Sequence, residues 1–410
     1  MSLALPLQRR DLDWQSIWNR TIVFLFITTY FFDGISRYKH MISAAIYITG
    51  LVYIIQQRKK IFSILKNNLF LSLAIFTVAM IYAITISVEP SLSLKRASNS
   101  IFEKLFLVSI MIAMVLHRED NKKIAHMLVL ALATTLVILT GTELHQYIEE
   151  YKVGIIPFTS FEHRRISDTL IFIFPAILTL WTIPGAKYKT IFFVLAAIFA
   201  ILMLGTLQRG TWLSLLVPAL IWAIAKREWK LPLLAALVIG VGLFTVHQKD
   251  PQQVKTLFHK LQQTDSSGRY ENGTQGAALD LILENPIKGY GFGNDLYHHV
   301  YNKRSPSYPD WRFKESIGPH NLTLSIWFAG GVIGVAALYY LLASALVSSI
   351  KGYRENNGPA QDAFLILTLI LIGDFIVRGA FETVRIENIA VIIGILLALH
   401  AKKILRRELI

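Results

Sequence analysis

The sequence predicts an all-α polytopic membrane protein with about twelve transmembrane helices and one long polar loop. Hydrophobic residues make up 54% of the 410 positions, and mean hydropathy is +0.48. Apolar runs close to the ~20 residues that cross a hydrocarbon core recur along the chain, separated by short charged breaks. Lysine and arginine are denser at alternate breaks, as expected when positive charge is retained on one side.

The twelve segments are 20–36, 41–57, 69–88, 101–116, 124–146, 168–184, 190–207, 210–225, 231–246, 318–348, 363–379 and 386–401. Residues 1–246 thus hold nine helices, 247–317 form the loop, and 318–410 hold the last three. Arg9, Arg10 and Arg20 resemble a signal-peptide n-region, but no small-x-small site follows near Phe32-Asp33-Gly34, so the first segment is expected to stay as an anchor. With the N-terminus inside, the inner segments hold 21 of the 41 lysines and arginines, the short outer turns 11 and the long loop 9. Both termini are therefore expected in the cytoplasm and the loop outside. The net charge of +14 becomes a topology signal, with membrane lipid as the surroundings and no nucleic-acid partner. The chain has no cysteine, so the loop must fold on its own packing or against the helices.

Segments 20–116 read as structural, and the charged turns at Arg58-Lys-Lys60 and Arg118–Lys123 as solvated inner faces. Asp11-Leu-Asp13 has the spacing of a metal-holding acidic pair but falls on the inner side, ahead of the first helix. No comparable pair lies outside, so neither a catalytic metal nor another cofactor is expected.

Phe161-Glu162-His163-Arg164-Arg165 puts two arginines on the side that disfavours them. They fit an anion site, and they fit equally an ion-pair arrangement with Glu162 and Asp168. The apolar run from Ile191 to Ala225 is too long for one crossing, so it must break near Gly205–Trp212, with Gly205 and Gly210 permitting a tight turn. That break holds Arg209 close to the hydrocarbon boundary, where an ionised side chain usually serves function.

In the loop, 252–261 has the spacing of an interfacial amphipathic helix, and a second helix is expected from Glu271 to Glu284, ending at Asn285-Pro286. Gly289-Tyr-Gly291-Phe-Gly293 follows no strand, so it suits a turn approaching the membrane helices or a sugar better than a nucleotide loop. Tyr297, Tyr301, Tyr308 and Trp311, among Lys303, Arg304, Arg312 and Lys314, suit the lipid interface or carbohydrate stacking.

Pro319 fits the first position of a helix capped by Ser316 or Gly318, which puts His320 and Asn321 in its first turn. A helix start attracts anions and disfavours the imidazolium, so His320 is a candidate neutral base beside a phosphate. Asp374, Arg378 and Glu382 recur at i, i+4 as an internal ion-pair ladder, with Arg385 beyond it. Arg378 and Arg385 join Arg164, Arg165 and Asn321 as secondary site candidates.

Three stretches together resemble the O-antigen ligase family, within the wider ligase and polymerase superfamily. Arg209-Gly-Thr-Trp-Leu213 is similar to its Arg-x3-Leu element. His320-Asn321 followed by Gly331-x-x-Gly334 is similar to the ligase His-Asn-x9-Gly-x-x-Gly pattern. Gly268-Arg269 with Asn285–Gly293 resembles the shared Gly-Arg and Pro-x-x-Gly-x-Gly region, although Gly273-Thr274 stands where an aromatic is often found.

The resemblance implies a GT-C-like glycosyltransferase of the Gram-negative inner membrane, with its active site at the periplasmic face. It would transfer polysaccharide from undecaprenyl pyrophosphate to a hydroxyl of the lipid A–core oligosaccharide, inverting the anomeric centre. His320 would act as base, with Arg209 and Arg269 binding the pyrophosphate. The rival readings are the polymerase of the same superfamily, a related protein O-glycosylating ligase and, in a different class, a transporter or flippase. Against the last, the suspicious charges lie at helix ends rather than near the bilayer midplane.

Overall fold

The computed structural model describes residues 13–155, 159–231, 233, 248 and 268–407, and every regular element among them is helical. The chain runs α1 (Trp14–Tyr30), α2 (Ser36–Gln56), α3 (Arg58–Leu65), α4 (Asn68–Thr85) and α5 (Pro90–Leu116). It continues through α6 (Asn121–Lys152), a 3-10 turn (Glu162–Ile166), α7 (Ser167–Thr182), α8 (Ala186–Gly205) and α9 (Arg209–Lys226). The loop contributes α10 (Thr274–Glu284) and α11 (Asn294–Arg304); α12 (Leu322–Glu355), α13 (Pro359–Ala380) and α14 (Ile389–Arg407) return to the bundle.

Eight of these helices are long and apolar enough to cross a membrane: α2, α4, α5, α6, the turn joined to α7, α8, α12 and α13. The expected first, eighth and twelfth segments fall on α1, α9 and α14, which are helical but shorter or less apolar. The ninth, 231–246, and the amphipathic helix at 252–261 lie almost wholly outside the described residues. Asp13 serves the fold locally, since its carboxylate accepts from the Ser16 N–H at 3.1 Å and caps α1. Asp11 is outside the described residues.

A large aliphatic and aromatic cluster fills the bundle, with α12 packed along α4 and α14 along α5. Two membrane helices contain π-helical stretches, Ser98–Leu107 in α5 and Leu371–Val377 in α13. Such stretches turn side chains away from the regular helical face and often mark functional sites.

Three of the four loop aromatics singled out, Tyr297, Tyr301 and Trp311, are buried and so do not serve the surface roles expected of them. They pack with Leu281 and Leu296 as the loop's own core. Trp311 stacks on Tyr308 at 4.3 Å and donates to Asp280 at 2.8 Å, while the Tyr301 hydroxyl donates to the Phe313 carbonyl at 2.6 Å. Each such ring contributes on the order of 2–3 kcal/mol by burial, which lets a cysteine-free loop hold its shape. Helix α10 begins at Thr274 rather than Glu271, because Glu271 takes a positive φ of 46° and ends the preceding turn.

This loop unit is fastened to α12 where the two glycine motifs meet. Gly330 and Gly331 leave helical geometry, Gly331 with φ 59° and ψ −155°, which frees carbonyls one turn earlier. The Tyr290 N–H donates to Phe328 at 2.7 Å and the Gly291 N–H to Ala329 at 2.9 Å. A side chain at Gly331 would meet the Ile287 carbonyl at 1.9 Å, and one at Gly289 the Gly331 nitrogen at 2.6 Å. Backbone therefore touches backbone, and the Gly289–Gly293 loop approaches the membrane helices as its spacing suggested.

Candidate active site

The site lies at the end of the bundle that carries the loop unit, where residues distant in sequence gather on one carboxylate. Glu382 follows the last turn of α13 and is buried. It pairs with Arg269, and its Oε2 lies 3.5 Å from Nδ1 of His320. The Ser167 and Thr211 hydroxyls donate to the side-chain carbonyl of Gln208 at 2.6 and 2.9 Å. That turns the Gln208 amide toward Glu382, to which it donates. Burial alone would raise the Glu382 carboxyl. Hydrogen bonding to His320, the charge of Arg269 and the Gln208 amide outweigh it and hold the group at about 2.

His320 does not occupy the first turn of a helix. It precedes the helix in left-handed backbone with φ 47°, and Asn321 is the cap of α12, its side chain accepting from the Leu324 N–H at 3.0 Å. Pro319 therefore lies ahead of the helix, and the cap is neither Ser316 nor Gly318. Left-handed backbone is costly for a non-glycine residue and persists only when neighbours hold it. Here the Gln275 side chain donates to the carbonyls of His320 and Ala380, each at 3.1 Å, and the Asn321 amide donates to Ala380 at 3.1 Å.

Arg209 is the first residue of α9, beside Gly210. A side chain at Gly210 would sit in ordinary contact with Glu382, at 3.5 Å, so the start of α9 borders the cluster. The tight turn expected from Gly205 and Gly210 is made instead by Leu207, with φ 48°.

The secondary candidates separate. Arg164 places its guanidinium 4.2 Å from the Phe161 ring and lies within electrostatic reach of Glu382 and Arg269. Arg165 pairs with Glu143 at 2.6 Å and hydrogen-bonds Gln146. The neighbouring His163 is buried between Glu143 at 2.6 Å and Glu150 at 3.1 Å and stacks on Tyr147. The double arginine thus has one member at the cluster and one tied to α6; neither makes the expected pair with Glu162 or Asp168. Arg378 is buried against Asp168 and against Asp374, the latter at 3.0 Å. The ladder holds for two rungs, and its third member, Glu382, turns away to Arg269 and His320. Arg385 is not part of the cluster and lines a separate recess with Pro319 and Leu322.

Glu382 is the residue that sequence reasoning missed as part of the site. Its i, i+4 spacing to Arg378 pointed to a structural rung, and nothing local distinguishes a rung from a turned carboxylate.

Beside the cluster opens a groove of about 800 Å3. Its mouth carries Tyr270, Gln275 and Asn321, and its length is walled by Leu338, Leu342 and Leu346 of α12 and Phe375 and Ile376 of α13. It is an apolar channel with a polar end, adjacent to His320.

Comparison with known proteins agrees with the motifs. Residues 192–339 match the O-antigen ligase family model. The chain is 43% identical over 391 residues to an O-antigen ligase of Salmonella typhimurium (strain LT2), a match covering 94% of this chain and 96% of that one.

Proposed function

The chain belongs to the O-antigen ligase family, and from that membership we propose that it moves polysaccharide from undecaprenyl pyrophosphate to a hydroxyl of the lipid A–core oligosaccharide. We place this reaction at the periplasmic face of the inner membrane, with both termini cytoplasmic, in keeping with the bias of lysine and arginine along the chain. The observation that carries the reading is the shared carboxylate of Glu382, which joins Arg269 and His320 from separate motifs beside the start of α9.

Breaking an anomeric C–O bond to pyrophosphate requires the leaving group's charge to be neutralised. Arg209 and Arg269 supply guanidinium forks matched to phosphate oxygens, with Arg164 in reserve nearby. The acceptor hydroxyl must lose its proton as it attacks. With Nδ1 of His320 directed at Glu382, Nε2 is the free basic position, and the carboxylate stabilises the imidazolium as it forms. Attack opposite the departing pyrophosphate inverts the anomeric centre. The apolar groove suits the isoprenoid tail, with its polar mouth at the pyrophosphate.

The lipopolysaccharide gel of a deletion strain tests this. Loss of the long ladder with polymer accumulating on the lipid carrier is expected. Core carrying a single repeat would identify a polymerase instead, and an unchanged gel would reject both.

A further inference from the structure

A second cavity lies beside the segment that carries His320, lined by Pro319 and Leu322 and by Thr383, the residue after Glu382. This recess of about 450 Å3 is lined by Arg96, Asn99, Ser100 and Lys104 of α5, Asn294 at the start of α11, and Arg385. Pro319 and Leu322 form its wall toward His320, and Leu322 also lines the apolar groove, so groove and recess meet His320-Asn321 from two sides.

Its charge is unbalanced. Arg96 is paired with Asp295, and Gly293 makes room for it, since a side chain there would meet the Arg96 chain at 3.1 Å. Among the described residues, Lys104 and Arg385 make no ion pair, although Glu387 also lines the recess. Lys39 lies within electrostatic reach of both cations and of Asp33, and gives its ammonium to the Tyr30 carbonyl at 2.9 Å. The lining thus sets Arg96, Lys104 and Arg385 against Asp295 and Glu387, and the cation left in excess at the end of a membrane helix is costly unless an anion meets it. Asn99, Ser100 and Lys104 all come from the π-helical stretch Ser98–Leu107, so the distortion of α5 is what turns them into the cavity. The start of α11, at Asn294, also borders the recess.

We propose that this recess binds the phosphate groups of the acceptor's sugars, with Lys104 and Arg385 as the residues that recognise them. The inference rests on the functional reading above, in which the donor's pyrophosphate and tail take the Glu382 cluster and the groove, leaving the recess to the acceptor.

The test uses the full chain in nanodiscs, with lipid-linked polysaccharide as donor and either native or chemically dephosphorylated lipid A–core as acceptor. The Lys104→Gln, Arg385→Gln double variant should raise the KM for native acceptor by about tenfold or more per cation removed, leaving donor KM and kcat unchanged. On dephosphorylated acceptor, wild type and variant should have the same KM. Lys104→Arg, which keeps the charge, should retain most of the native affinity, and the single variants Lys104→Gln and Arg385→Gln, read on both acceptors, carry the test if the double variant does not fold. An unchanged KM for native acceptor would overturn the proposal, as would an equal rise on both acceptors or a rise in donor KM. Should wild type transfer nothing to lipid A–core, the functional reading itself fails and this inference falls with it.

Discussion

Nδ1 of His320 lies 3.5 Å from Oε2 of Glu382. The same carboxylate pairs with Arg269, so one buried charge positions both the proposed base and a proposed pyrophosphate ligand. Glu382→Gln keeps the shape and removes the charge. Ligation by purified protein should fall by about 10–10²-fold in kcat, while Glu382→Asp recovers part of it. A glutamine variant as active as wild type would rule out this positioning role.

His320→Ala and Arg209→Ala should each leave a well-expressed, membrane-inserted protein whose attachment of polysaccharide is lost, with rates down by about 10²–10⁴-fold. Arg269→Lys should also be strongly impaired, because an ammonium cannot reproduce the planar fork. Near-normal ligation by a well-expressed His320→Ala protein would end the assignment of His320 as base.

Arg378 should behave differently from these. It is buried between Asp168 and Asp374, and truncating one member of a buried ion group costs about 3–5 kcal/mol. Arg378→Ala is therefore expected to lower the thermal unfolding midpoint and the amount of folded protein, whereas His320→Ala does not. Equal thermal stability of the two variants would contradict this division.

Acid stability follows from Glu382. Its carboxyl is held at about 2, below the usual 4.5, so the ionised form stabilises the fold. That contribution is complete above pH 4.5 and disappears as pH falls through about 2. Between those values wild type should lose more thermal stability than Glu382→Gln, as followed by unfolding midpoints. Parallel pH curves for the two proteins would contradict the pairing.

Gly331→Ala should loosen the loop unit from the bundle. The added carbon would meet the Ile287 carbonyl at 1.9 Å on a backbone with φ 59°, at a cost of roughly 2–4 kcal/mol. Faster limited proteolysis within 268–321 should report it, with Gly334→Ala milder because its nearest contact is 3.0 Å.

The membrane-spanning class, most of the long apolar helices and the motif residues were legible in the chain, because hydrocarbon demands long apolar runs and breaks between them must carry charge or glycine, whereas the short polar helices Arg58–Leu65 and Asn294–Arg304 were not. Their order and spacing also pointed to the O-antigen ligase family. Arg209, Arg269 and His320 could be chosen as single residues on that basis. Which partners they meet was not written locally. The i, i+4 spacing of Asp374, Arg378 and Glu382 describes a straight helix, but the π stretch and 3-10 turn at Leu371–Ala380 break it and release Glu382 toward Arg269 and His320. The loop aromatics likewise read as surface until Tyr297, Tyr301 and Trp311 packed together inside it. Sequence by itself determined the membrane-protein class, the long apolar helices and the motif residues, since those depend on composition and short-range spacing. Only the tertiary structure decided which charges pair and which are left facing a cavity, because that depends on helix distortions and long-range contacts with no period in the chain.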